Sequence, residues 1–295
     1  MLSRVKVGPR PYLAKRFEEL DALHFDTFKV KRLGVSLGAE VEAVQLAGAD
    51  DATVDDIRRA LLEFKVLFFR DQDLTTDAHK AFAERFGEIE DHPFLPAKDG
   101  HDEVIRFEKG QDVAGYENQW HSDVSWREVP SLGSILRAVE VPAVGGDTLF
   151  ADMVAAYEGL SDDMKERIDD LVCVHDFMNS FGVLLSEEER ASRREQFPPA
   201  RHPLVRTCPE TGEKCLYVNA IFTSHVEGME PAESDALLAE LVREATYPEY
   251  QVRFHWENDS VAFWDNRVTQ HYAVNDYWPR RRVMERVTII GERPE

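Results

Sequence analysis

From about residue 103 the chain breaks into short segments rich in β-branched and aromatic residues: "EVIRFE", "WHSDVSW", "GSILRAV", "DTLFAD", "LYVN", "QVRFHW", "SVAFWD" and "VTII". Bounded by Gly, Pro, Asn and Asp, such segments read as strands. Two helical stretches interrupt them, one near 161–172 opened by Ser161 and one near 231–245 opened by Glu230-Pro231. Because strands and helices do not alternate regularly, a parallel α/β sheet is disfavoured. The pattern predicts an antiparallel double-sheet barrel, mainly β with flanking helices (α+β).

Ahead of this set, residues 28–46 read as two short strands, "DATVDDIRRALLEF" as a helix with Ile57, Leu61 and Phe64 on one face, and "KVLFFRD" as a buried strand. A second helix from Thr75 to Phe86 stops at Gly87. No repeat or composition break divides the chain, so residues 1–295 are expected to form a single domain, with the first thirty or so peripheral. The charged run "SEEERASRREQFPPARHP" at 186–203 reads as a solvated excursion or as an active-site cover.

The formal charge of −21 disfavours nucleic acid and anionic membranes as partners. A small anion stays admissible, because local arginines outweigh distant, screened charge. No apolar run approaches the ~20 residues of a membrane span, and the N-terminus lacks an apolar signal core, so a cytoplasmic location is expected. Three cysteines suit a reducing compartment; Cys208 and Cys215, flanking "PETGEK", read as ordinary thiols.

Two His-x-Asp triplets occur. His24-Phe25-Asp26 lies in a packed N-terminal segment with no third ligand in view. In "NQWHSDVSW", strand alternation would aim His121 and Asp123 to one side, and His271 in "WDNRVTQHYAVNDY" offers a second imidazole. Two imidazoles and one carboxylate suit non-haem Fe(II), with a zinc hydrolase as the rival. Of the other histidines, His79 reads as helical and exposed, and His101, His175, His202, His225 and His255 lack a comparable partner. In "RRRVMERVTII", Arg282, Met284, Arg286 and Thr288 share one strand face. That face is either an anion-binding wall or a basic edge strand. The Thr148 hydroxyl in "VGGDTLFAD" could bond a carboxylate.

The elements "LGAEV", "WHSDVSW", "GGDTLFAD", "WDNRVTQHYAVNDY" and "RRRVMERVTI" together resemble the Fe(II)/2-oxoglutarate-dependent dioxygenases of the taurine dioxygenase and 2,4-dichlorophenoxyacetate dioxygenase group. The resemblance implies a double-stranded β-helix, or jelly roll. It implies iron on His121, Asp123 and His271, 2-oxoglutarate on Thr148, Arg282 and Arg286, O₂ as oxidant, and no catalytic side chain beyond the metal centre. Asp123 keeps the carboxylate that related halogenases replace, which implies hydroxylation. A homodimer or homotetramer is also implied.

For the substrate, the resemblance points to His92 as the head-group ligand, with Arg286, Phe181 and Phe222 beside it. Leu95 and Glu117 stand where taurine dioxygenase places a tyrosine and an asparagine, making one side more apolar and bringing a charge. The expected substrate is a taurine-like sulfonate, releasing sulfite and an aldehyde. The same chemistry on an alkyl sulfate or aryloxyalkanoate is an alternative, and a non-catalytic metal-dependent anion binder is the alternative of another class.

Overall fold

A computed structural model describes residues 8–115 and 117–295. Its strands are β1 (Lys29–Arg32), β2 (Ala39–Glu42), β3 (Val66–Phe69), β4 (Ala97–Lys98), β5 (His101–Lys109), β6 (Ser131–Glu140), β7 (Thr148–Asp152) and β8 (Val172–His175). They continue as β9 (Ala200–Pro203), β10 (Val205–Thr207), β11 (Lys214–Leu216), β12 (Thr223–Val226), β13 (Gln251–Phe254), β14 (Val261–Asp265), β15 (Thr269–Ala273) and β16 (Arg282–Ile290). The helices are α1 (Pro11–Asp21), α2 (Asp51–Phe64), α3 (Thr76–Glu84), α4 (Met153–Glu158), α5 (Asp162–Ile168), α6 (Glu187–Gln196) and α7 (Pro231–Leu241). Among the described residues no helix is long and apolar enough to cross a membrane.

An eight-stranded sheet in the order β1-β2-β3-β14-β6-β16-β5-β4 is accompanied by the three-stranded sheet β13-β7-β15. Pairing is antiparallel except between β2 and β3. The apolar runs "VLFF" and "VAFW" explain the layering. Phe68, Ala262 and Trp264 join Phe150 and Phe254 of the small sheet and Met284 in one cluster, where Phe68 and Phe254 stack at 4.0 Å between centroids. Leu67, Phe69, Val261 and Phe263 join Ile57, Leu61 and Phe64 of α2 and Phe82 of α3 in another. Strands apolar on both faces are thus buried on both faces. The outcome is the mostly-sheet, jelly-roll architecture expected from the sequence.

A buried ion pair ties the two sheets. Lys65, at the left-handed C-terminal cap of α2 (φ 64°), places Nζ 3.0 Å from Asp152 Oδ2, and both side chains are almost fully buried. Asp152 also caps α4, accepting from Val154 N and Ala155 N at 3.0 Å each.

Several local expectations are corrected. "WHSDVSW" is not a strand: only His121 makes a β-bridge, and turns follow, with Val124 at φ 46°. In "LYVN" the strand stops at Leu216. The excursion at 186–203 splits into α6, started by a capping box on Ser186 and Glu189, and strand β9. His79 is helical but buried, its Nε2 donating to the carbonyl of Ile135 at 3.1 Å. The basic edge strand is ruled out, since β16 runs between β6 and β5. The three cysteines are buried free thiols.

Candidate metal centre and substrate cavity

His121 and His271 face each other across an antiparallel bridge. Each backbone N–H donates to the other's carbonyl, His121 N to His271 O at 3.1 Å and His271 N to His121 O at 2.8 Å. The imidazoles consequently lie side by side, tilted by 48° with centroids 4.2 Å apart. Asp123 completes the group, and one ligand atom from each residue lies within 4.8 Å of the others. The exposed pair His24 and Asp26 gains no third partner among the described residues.

The hydrogen bonding shows whether a cation fits. His121 Nδ1 sits 2.9 Å from the carbonyl of Gln119, which can only accept, so Nδ1 carries the proton and Nε2 the lone pair. Burial lowers the pKa of His121, and burial with the neighbouring His121 lowers that of His271 to about 3, so both rings are neutral. Nε2 of His121 faces Asp123 Oδ1 at 3.9 Å. Two lone-pair atoms facing each other with no proton between them fit a divalent cation there, and N,N,O donors suit Fe(II). Burial opposes ionisation of Asp123, but Arg286 and the two histidines prevail and hold its pKa well below the usual carboxylate range. Arg286 Nη1 donates to its Oδ1 at 2.6 Å and Ser134 Oγ to its Oδ2 at 2.8 Å.

These residues line a cavity of about 420 Å³, a size suited to a small ligand. Arg282 and Arg286 project into it from the inner face of β16, as strand alternation requires. Arg282 is buried with Nε lacking a protein partner, and burial lowers its pKa, the signature of a cation awaiting an anion. Thr148 Oγ1 accepts from Trp256 Nε1 at 2.9 Å, which leaves its own proton to donate into the cavity. The preceding Asp147 is held by Arg253 at 2.6 Å and by His255 at 2.8 Å, a partner for His255 that the sequence did not reveal.

His92, Leu95, Glu117, Phe181 and Phe222 all line the same cavity. His92 Nδ1 accepts from the backbone N–H of Phe94 and Leu95, so Nε2 carries its proton. Burial, reinforced by Arg286, lowers its pKa to about 3 and makes it a neutral donor. Leu95, Phe181, Val183, Ile221 and Phe222 supply an apolar share of the lining, with Phe181 5.6 Å from His92 and Phe222 6.3 Å from His121 between ring centroids. Glu117 is engaged by Lys109 at 2.9 Å, so its charge is already matched within the protein. Helix α6 packs behind the Phe181 segment, with Arg193 over the Phe94 ring, Arg190 bonded to the carbonyl of Gly182, and Arg194 paired with Asp176.

Sequence reasoning missed the shell behind the ligands. Ser134, Asn266 and the histidines His175 and His202, which bond Ser125 of the metal-bearing loop, are parts of it. Polar residues inside the apolar segments "GSILRAV" and "SVAFWDN" were the available signal.

Comparison with known proteins agrees with this geometry. Residues 29–288 match the family described as "Taurine catabolism dioxygenase TauD, TfdA family". The chain is 38% identical over 273 residues to an alkylsulfatase of Acinetobacter baylyi, covering 90% of this chain and 85% of the relative. It is 38% identical over 267 residues to an alpha-ketoglutarate-dependent sulfate ester dioxygenase of Pseudomonas putida, covering 88% of each. A crystal structure of a taurine dioxygenase from Burkholderia xenovorans superposes with a TM-score of 0.79 at 40% identity, covering 91% of this chain and 92% of that one.

Proposed function

Since this chain belongs to the TauD/TfdA family of Fe(II)- and 2-oxoglutarate-dependent dioxygenases, we propose that it hydroxylates the carbon carrying the sulfate-ester oxygen, or the sulfonate sulfur, of a small organic anion with an apolar tail, an alkyl sulfate foremost. Ferrous iron, when bound, supplies coordination positions for 2-oxoglutarate and O₂ and the oxidising power that turns a C–H into a C–OH while 2-oxoglutarate becomes succinate and CO₂. His121, Asp123 and His271 hold it.

The protein's own groups bind and orient. Arg282 and the Thr148 hydroxyl take a carboxylate of 2-oxoglutarate, and Arg286, anchored on Asp123, keeps positive charge where the anions meet. His92 offers an Nε2–H to a sulfo oxygen as a neutral donor, so head-group recognition does not depend on protonating it. The aromatic wall and α6 shield the reacting carbon from water.

The observation that carries the choice of substrate is the apolar lining supplied by Leu95, Phe181, Val183, Ile221 and Phe222. An ammonium placed there would lose its hydration, and Glu117 is already engaged by Lys109. This speaks against taurine and for a hydrocarbon tail. A hydroxyl placed on the ester carbon collapses to an aldehyde and sulfate; an alkyl sulfonate, the second reading, gives an aldehyde and sulfite and shares the same head-group ligands.

The test is a panel of alkyl sulfates, alkyl sulfonates, taurine and aryloxyalkanoates with Fe(II), 2-oxoglutarate and air, scored for succinate, sulfate and sulfite. Turnover of C4–C8 alkyl sulfates with one sulfate per succinate is expected. Taurine outpacing every alkyl substrate would overturn the tail assignment. Residues 1–295 are read as one such unit, cytoplasmic and homo-oligomeric; sedimentation of the purified chain checks the assembly.

A further inference from the structure

Asn266 stands in the turn between β14 and β15, 1% exposed. Its Oδ1 accepts from the backbone N–H of Asp123 at 3.1 Å and from Trp264 Nε1 at 2.9 Å. Both partners can only donate, so the orientation of the amide is forced by chemistry. Its Nδ2 then points to Ser131 Oγ and Ser134 Oγ, each at 3.0 Å. Ser134 receives that bond and passes its own proton to Asp123 Oδ2 at 2.8 Å. Ser131, by contrast, passes its proton to the backbone carbonyl of Asp123, at 3.3 Å, and not to the carboxylate.

The relay runs one way, from amide to hydroxyl to carboxylate. It meets a backbone that resists its position, because Val124, the next residue, is β-branched and buried at φ 46°. Such a conformation is strained and persists only where its surroundings enforce it. The indole that shares Asn266 Oδ1 also packs on His271, with ring centroids 4.9 Å apart. One amide therefore touches the supports of two metal ligands.

We propose that Asn266 and Ser134 are positioning residues that fix the Asp123 carboxylate for the metal. The inference rests on the reading of the His121, Asp123 and His271 group as a divalent-metal centre. Neither residue is among those lining the cavity; each acts through Asp123. Outer-shell partners of metal ligands commonly change affinity by roughly 10- to 100-fold when removed.

The experiment is isothermal titration of the purified full-length chain with Mn(II), together with thermal melts. Ser134→Ala removes the donor to Oδ2. Asn266→Asp is nearly isosteric but replaces an N–H donor by an acceptor, so Ser134 must divide its one proton between two carboxylates. Both variants are expected to raise the Mn(II) dissociation constant by roughly 10- to 100-fold. Ser131→Ala, which loosens the same turn without touching the carboxylate, is expected to stay within about twofold while its melting temperature falls at least as much as that of Ser134→Ala. Wild-type affinity in Ser134→Ala would overturn the proposal, as would an equal loss in Ser131→Ala, which would reduce the network to general support. If Asn266→Asp does not fold, the contrast between the two serine variants decides alone. Absence of Mn(II) binding by the wild type would instead overturn the metal-centre reading itself.

Discussion

The ion pair between Lys65 and Asp152 offers a quantitative test of how the fold is held. Both charges are essentially removed from water, 1% and 0% exposed, at 3.0 Å. Removing one partner of such a pair leaves a buried charge uncompensated, at a penalty of about 3–5 kcal/mol. The two singles are not equivalent. In Lys65→Met the remaining Asp152 carboxylate still accepts two backbone N–H groups at the start of α4. In Asp152→Asn the remaining ammonium keeps only the longer contacts to Tyr12 Oη at 3.4 Å and Ser36 O at 3.5 Å. Asp152→Asn is therefore expected at about 3–5 kcal/mol and Lys65→Met about 1.5–3 kcal/mol below it, since even one hydrogen bond to a charge is worth about that much. The double variant has no uncompensated charge and is expected to be more stable than Asp152→Asn alone. Urea unfolding followed by circular dichroism measures all four proteins. Additive losses, with the double variant the least stable, would show that the two charges do not compensate each other and would refute the reasoning.

Three further expectations follow from the site and its surroundings. Arg282→Met removes a buried cation whose Nε has no protein partner; 2-oxoglutarate binding should weaken roughly 10- to 100-fold, since a charged hydrogen bond contributes about 1.5–3 kcal/mol, while the ligand-free melting temperature rises. His79 is buried with its pKa lowered to about 4, chiefly by desolvation. The unfolded chain thus binds the extra proton first, so the stability His79 contributes is complete above its unfolded value and is lost as pH falls from about 6.5 to about 4. The loss at pH 5 should be roughly 2 kcal/mol, and urea midpoints of His79→Gln should show a shallower acid slope than wild type. Finally, a chelator such as EDTA should stop succinate formation while leaving the far-ultraviolet circular dichroism unchanged, because the His121–His271 bridge is made by backbone hydrogen bonds.

Much of the site was legible because strand alternation is a short-range rule: it placed Arg282, Met284 and Arg286 on one face, and the structure sets all three against the cavity. The same rule reached a useful conclusion about His121 and Asp123 by an incorrect route. The pair converges through a bridge and a turn, since Val124 adopts a left-handed conformation that its side chain disfavours and only tertiary bonds enforce. The edge-strand alternative for β16 could not be excluded locally, because strand order is a long-range property. His79 was misread although Phe82, Ala83 and Phe86 lie three, four and seven residues on, the spacing of a buried face. Lys65, at the head of the apolar run "KVLFF", finds its partner in Asp152, 87 residues away, a pairing that no local rule reaches.

The bridge between residues 121 and 271 also has a bearing on biosynthesis. Two of the three groups that would grip the ferrous ion come from points 150 residues apart, and they meet only when β15 pairs with the loop between β5 and β6. A nascent polypeptide that has not yet reached β15 therefore has no complete chelate to offer, and an oxygen-activating metal finds its third ligand only late in synthesis.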